Sequence, residues 1–285
     1  MKRDRIRLLA LADLHFKRYG VNLGLDFIDS SSEMYTGREL IARLDELLRR
    51  KVEEVDHIII AGDLTNWAHT YQYGPIEIVL NKYDGRQISV VPGNHDMMLN
   101  PVKNLNRRKY QRRFDKYLGR FMTDRKDGDR QYFPYEKKLD EDVVIIGLDT
   151  TTGIGNRYRH SALGFSASIG RVGLDQRQEL ESILNSERLE DKWILLVMHH
   201  DPLDKQHFFT RLGDIDSFRE ILAGVGKHRK VILICGHNHK GIIDYFGDNV
   251  LHIQPPAFCG QRAPKKGGYF DITVYPDLSY ELNEG

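Results

Sequence analysis

Val231-Ile232-Leu233-Ile234-Cys235-Gly236-His237-Asn238-His239 is a short, largely β-branched run that stops abruptly at a glycine and two histidines. A run of this length and composition reads as a buried strand. The histidines then fall in the loop at its carboxyl end. The same construction recurs four times. Residues 6–12 lead into Asp13-Leu14-His15, and residues 55–61 into Gly62-Asp63. Residues 87–91 lead into Pro92-Gly93-Asn94-His95-Asp96, and residues 193–198 into His199-His200. Open α/β sheets bind ligands at the carboxyl ends of their strands, so five strand ends are expected to deliver polar groups to one place.

Helical periodicity lies between these runs. Residues 37–54 put Leu40, Ile41, Leu44, Leu47 and Leu48 on one face, Leu174–Leu184 repeats the pattern, and residues 218–225 form a shorter case. Strands alternating with helices predict an α/β fold. Residues 250–253, 269–275 and 278–282 read as consecutive strands, with turns at Gly267-Gly268 and Pro276-Asp277. They predict a second, largely antiparallel sheet. The 285 residues are expected to form one domain over 1–285. Residues 16–36 form an insert suited to a lid. The segment 102–121 interleaves Arg107, Arg108, Lys109, Arg112, Arg113, Lys116 and Arg120 with Tyr110, Phe114, Tyr117 and Phe121. It reads either as an amphipathic helix with a solvated basic face or as a patch for an anionic substrate or nucleic acid.

Lys plus Arg number 42 against 41 Asp plus Glu, a formal charge of +1, so no global field draws the chain to nucleic acid or an anionic membrane. No apolar run reaches the roughly 18 residues of a membrane span, and the start lacks a secretory pattern. Two cysteines, Cys235 and Cys259, give no disulfide framework. Cys235 reads as a small buried hydrophobe. The expected location is the cytoplasm.

The residue types delivered by the strand ends are carboxylate, imidazole and amide, a donor set that suits Mn, Fe, Zn or Co. Seven to nine such groups exceed what one ion needs. Two divalent ions sharing a carboxylate would use them all.

In order, Asp13-Leu14-His15, Gly62-Asp63, Gly93-Asn94-His95-Asp96, His199 and Gly236-His237-Asn238-His239 resemble the calcineurin-like metallophosphoesterase superfamily. The resemblance implies two β-sheets packed face to face between helices, in four layers. It implies that Asp13, His15, Asp63 and His239 hold one metal, and that Asp63, Asn94, His199 and His237 hold the second, Asp63 bridging. A hydroxide between the metals would attack phosphorus in line. His95 would protonate the leaving group, and Asp96 would orient the His95 ring. His199 and His200 compete for one ligand role, with His199 favoured. His57, His69, His160, His207, His228 and His252 read as surface or satisfied core residues, His160 and His207 being retained as substrate-contact candidates. Trp67, Tyr71 and Tyr73 read as loop packing.

Protein Ser/Thr phosphatases carry Asp-Arg-Gly after the second motif, whereas this chain has Leu64-Thr65-Asn66-Trp67. Gly62-Asp63-Leu64-Thr65, Asp175-Gln176 and the late segment 255–261 are similar to the cyclic-nucleotide and glycerophosphodiester phosphodiesterase branch. That branch often has Pro directly after the paired histidines, where this chain has Asp201. The implied substrate is a small nucleotide-like or glycerol-like diester. A nuclease or nucleic-acid end-processing enzyme is the alternative, and a non-catalytic scaffold the third.

Overall fold

The computed structural model describes residues 3–17, 37–97, 107–123, 133–152, 169–203, 212–225, 229–260 and 268–283. Residues 18–36 of the expected lid, residues 102–106 of the basic segment, and His160, His207 and His228 lie outside them.

Two sheets form the centre, with helices on their outer faces. The first runs β11 (Tyr280–Leu282), β10 (Phe270–Val274), β1 (Ile6–Leu11), β2 (His57–Ala61), β3 (Ile88–Val91). The second runs β4 (Tyr135–Lys138), β5 (Val143–Gly147), β6 (Trp193–Val197), β7 (Lys230–Ile234), β9 (Val250–Gln254), β8 (Ile242–Phe246). Strands β1, β2 and β3 are parallel, as are β5, β6, β7 and β9. The five motif-bearing strands are therefore divided between the sheets, three in one and two in the other.

The late strands do not make a sheet of their own, which corrects the expectation above. Strand β9 extends the parallel part of the second sheet, with β8 antiparallel at its edge. Strand β10 lies antiparallel on β1, Ile6 facing Val274, and β11 follows it across the Pro276-Asp277 turn. Pairing in this way removes the open edge that β1 would otherwise present.

Alternation along the second sheet sorts its side chains between two cores. Ile145, Leu195, Val197, Ile232 and Ile234 join the core between the sheets. Ile146, Ile194, Leu196, Val231 and Leu233 join α4 (Leu174–Leu184) and α5 (Ile215–Gly224) on the outer side. The first sheet is covered by α1 (Gly37–Lys51), which buries Leu40, Leu44, Leu47 and Leu48 at helical spacing. Helix α2 (Thr70–Leu80) runs through Pro75. Helix α3 (Arg107–Leu118) turns Tyr110, Phe114 and Leu118 inward, as an amphipathic helix should. Leu174 is an exception to its expected apolar face and stands 59% exposed, because it opens α4 on the solvent side.

Candidate metal centre

The carboxyl ends of β1, β2 and β3 meet those of β6 and β7 across the gap between the sheets. The loops are sewn together by main-chain bonds: Asp13 N–H to Gly62 O (3.1 Å), His15 N–H to Asp63 O (2.9 Å) and Gly236 N–H to His199 O (2.9 Å). The His237 N–H points at both Asp13 carboxylate oxygens, at 3.1 and 3.0 Å. Strain concentrates here. Among the described residues, eight non-glycine positions have positive φ, and five of them are Asp13, His15, Asp63, His237 and His239. Left-handed backbone costs each such residue roughly 1–2 kcal/mol, and the rest of the fold holds it in place. Gly62 also has positive φ (87°), and a Cβ there would meet the His199 ring at 2.5 Å.

Two groups of side-chain atoms converge. In one, His199 Nε2 is 3.1 Å from Asn94 Oδ1, 3.2 Å from His237 Nδ1 and 3.2 Å from Asp63 Oδ2. In the other, His239 Nε2 is 3.3 Å from both Asp13 Oδ1 and His15 Nε2. His15 Nε2 is in turn 3.6 Å from the same Asp63 Oδ2. Metal–ligand bonds of about 2.1 Å put neighbouring ligand atoms roughly 3 to 3.5 Å apart, so both groups have the dimensions of a coordination shell. His199 Nδ1 donates to Ala61 O (2.9 Å), which turns Nε2 inward.

Electrostatics favour the same occupant. Burial alone would raise the Asp13 and Asp63 carboxyls, but His239 beside Asp13 and His199 beside Asp63 outweigh it and hold both below the usual range. Burial pushes His199 down, yet Asp63 lifts it to about 9. Burial, reinforced by His95 for His15 and by His199 for His237, drives these two rings to about 3. Two buried anions ringed by inward-facing imidazoles form a donor set for divalent cations. No lysine or arginine pairs with either carboxylate among the described residues.

All seven expected ligands are thus brought together, and His199, not His200, faces the centre. The His200 Nδ1 atom lies 2.7 Å from the Thr150 hydroxyl, with its ring 4.5 Å from that of His237. His95 stands at the rim. Its N–H donates to Asp63 Oδ1 (2.8 Å), its Nδ1 to Asn66 O (2.9 Å), and its ring meets His15 edge-on at 4.6 Å.

The role expected of Asp96 needs correcting. Its carboxylate accepts the N–H groups of Leu64 (3.1 Å), Thr65 (2.9 Å) and Gly93 (3.0 Å), and the Thr65 hydroxyl (3.0 Å). It holds the second and third loops together, while the Asn66 carbonyl orients His95. Burial and then the Asp63 charge lift Asp96 to about 6, against those hydrogen bonds. Asn66 carries no motif signature, so nothing in the sequence pointed to it. The run 143–147 followed by Leu148-Asp149-Thr150 repeats the strand-end pattern and could have pointed to Thr150.

In α3, Arg107 pairs with buried Asp149, and Arg113 donates to Ala68 O at 2.9 Å. Exposed Arg108, Arg112 and Lys116 line a groove of about 560 Å³ with Tyr117. The helix packs on the His95 turn. Tyr73 is buried with its hydroxyl on Asp96 O (2.9 Å), Tyr71 is exposed, and the Trp67 ring lies 5.9 Å from His95.

The sequence matches the model of the calcineurin-like phosphoesterase family over residues 6–241. The chain belongs to that family. Metal-dependent phosphoester hydrolysis is the chemistry of the family, and the clustered Asp and His side chains described above are its potential ligands. Solved structures share the fold at low identity. A dimetal phosphatase from Danio rerio is 15% identical with a TM-score of 0.62, covering 96% of this chain and 93% of its own. A purple acid phosphatase from yellow lupin (Lupinus luteus) seeds is 12% identical with a TM-score of 0.57, covering 100% and 52%. An NAD nucleotidase from Haemophilus influenzae is 13% identical with a TM-score of 0.53, covering 100% and 50%. No curated protein sequence is significantly similar to the chain. Among the described residues, no helix is long and apolar enough to cross a membrane.

Proposed function

We propose that this phosphoesterase is a dinuclear phosphodiesterase acting on a small nucleotide-like or glycerol-like diester. The observation that carries this reading is the shared oxygen, Asp63 Oδ2, lying 3.6 Å from His15 Nε2 and 3.2 Å from His199 Nε2. Asp13, His15, Asp63 and His239 would hold one ion, and Asp63, Asn94, His199 and His237 the other. Two divalent ions (Mn, Fe, Zn or Co) so held would supply a hydroxide nucleophile near neutral pH and would neutralise charge on the phosphoryl oxygens.

The chain's own groups do the rest. Asn94 Nδ2 is buried without a partner and is available to a phosphoryl oxygen. His95, its Nδ1 committed to Asn66 O, has Nε2 left to pass a proton to the departing oxygen. Cys235, a buried thiol, fits a reducing compartment, the cytoplasm.

Manganese-loaded protein assayed on a chromogenic diester and the matching monoester tests this reading. Preference for the diester, abolished by chelator, is expected; preference for the monoester would make it a phosphatase. A nuclease is the second reading, favoured by the exposed Arg108, Arg112 and Lys116 beside the His95 turn. Binding to single-stranded DNA that weakens steeply with salt would support it.

A further inference from the structure

A second group of ligand-type side chains lies behind the candidate centre, closed off from solvent. Asp201 follows β6, Cys235 follows β7 and His252 lies within β9. Their carboxylate oxygen, sulfur and imidazole nitrogen all fall within 4.8 Å of one another. The three residues are 4%, 0% and 2% exposed. His252 Nε2 is 3.3 Å from Asp201 Oδ1 yet makes no hydrogen bond. An imidazole nitrogen and a carboxylate thus face each other with no aligned proton between them. Gln254, two residues along β9, brings its Nε2 within 2.7 Å of Gly236 O and 3.5 Å of Asp201 Oδ2. Its Oε1 is buried without a partner. Buried polar atoms nearly always find partners, and here two orphans belong to side chains that share one carboxylate.

We infer that Asp201, Cys235 and His252 form a third metal site, structural in role and selective for zinc, with the unpartnered Gln254 Oε1 as the candidate fourth ligand. A thiolate is the softest donor in the chain and selects zinc over manganese or magnesium, while imidazole and carboxylate complete a common zinc set. The Asp201–His252 separation already equals the edge of a zinc tetrahedron, about 3.3 Å for bonds near 2.0 Å. Thiolate and carboxylate together cancel the two charges of the ion, so the unit buried is neutral, as a dry site demands. Binding releases the thiol proton to solvent.

The position gives the site a purpose. Asp201 is two residues beyond His199, and Cys235 is two residues before His237. An ion here ties the ends of β6 and β7 to the middle of β9 beneath the loops that carry those histidines. The inference is independent of the diesterase reading, and its test separates the two.

The full chain with Asp63→Asn, which removes the shared carboxylate, is purified with zinc and passed through a weak competing chelator. About one zinc per chain is expected to remain. With cobalt in its place, a thiolate-to-cobalt charge-transfer band should appear in the near ultraviolet. Adding Cys235→Ser should remove both ion and band, and His252→Gln, the gentler change, should do the same. Zinc should raise the melting temperature of the Asp63→Asn protein but not of the double variants. An Asp63→Asn chain without zinc, or a cobalt complex whose band is missing or survives Cys235→Ser, would overturn the site. Wild-type protein loaded with manganese that hydrolyses no diester, while the Asp63→Asn chain keeps its band, would instead count against the proposed activity.

Discussion

Gly93→Ala puts one methyl group against the shared carboxylate. A Cβ built on Gly93 lies 2.1 Å from Asp63 Oδ1, 2.3 Å from Asp63 N and 2.7 Å from Asp63 Cγ. Relief to an ordinary contact requires the Asp63 carboxylate and its main-chain nitrogen to retreat by about 1 Å, whereas metal–ligand distances tolerate about 0.2 Å. Gly93 has no positive φ, so alanine suits its backbone and only the space is at issue. Overpacking of this kind costs about 1–3 kcal/mol of stability, which leaves the protein folded well below its melting temperature. A misplacement near 1 Å can cost about 100-fold in rate. The assay pairs metal content per chain with kcat on a chromogenic diester at 25 °C. Gly74→Ala serves as control, since a Cβ there meets nothing within 4 Å. It should keep full activity and gain up to about 1 kcal/mol from lower chain entropy. A Gly93→Ala protein with both metals and wild-type kcat would refute the reasoning that Asp63 is fixed by this contact.

Three further outcomes follow from the same geometry. His95→Ala should slow diesters with poor leaving groups at least 100-fold and good ones far less; equal loss on both, measured as kcat, would deny it the role of acid. Asp96→Asn should destabilise the fold by about 2–3 kcal/mol, because an amide nitrogen would face backbone N–H donors of Leu64 and Gly93 or of Thr65. A denaturant midpoint unchanged from wild type would speak against that. Asp271 is buried, which by itself raises its pKa, but Arg7 (3.1 and 2.9 Å), Lys51 (2.8 Å) and Asn283 (3.2 Å) overcome this and lower it. Its folded pKa is below the unfolded value of about 4, so its contribution is full above pH 4 and is lost as pH falls through the folded value. Asp271→Asn should therefore cost about 2 kcal/mol at pH 7 and flatten the acid limb of stability against pH; an acid limb as steep as wild type would contradict it.

What the sequence made legible were strand ends. A β-branched run followed by Gly-Asp or Gly-His-Asn-His declares both a buried strand and the polar group beyond it, so seven convergent ligand-type side chains could be read without coordinates. Leu174–Leu184 and the periodic face of α1 were equally plain. The division of the strands between two sheets was not, because local pattern carries no record of which strand lies beside which. Strand β10 pairs with β1 across 260 residues or more. Asp96 illustrates a second limit. A carboxylate next to a histidine suggests a charge pair, whereas its chain direction turns it toward the Leu64 and Thr65 amides. Cys235, just beyond β7, and His252, within β9, resemble ordinary core residues until parallel pairing sets β7 beside β9.

Anomalous diffraction from a manganese-loaded crystal tests the central claim most directly. Two peaks about 3.5–4 Å apart, with Asp63 Oδ2 bound to both, are predicted. A single peak, or two that do not share Asp63, would contradict it.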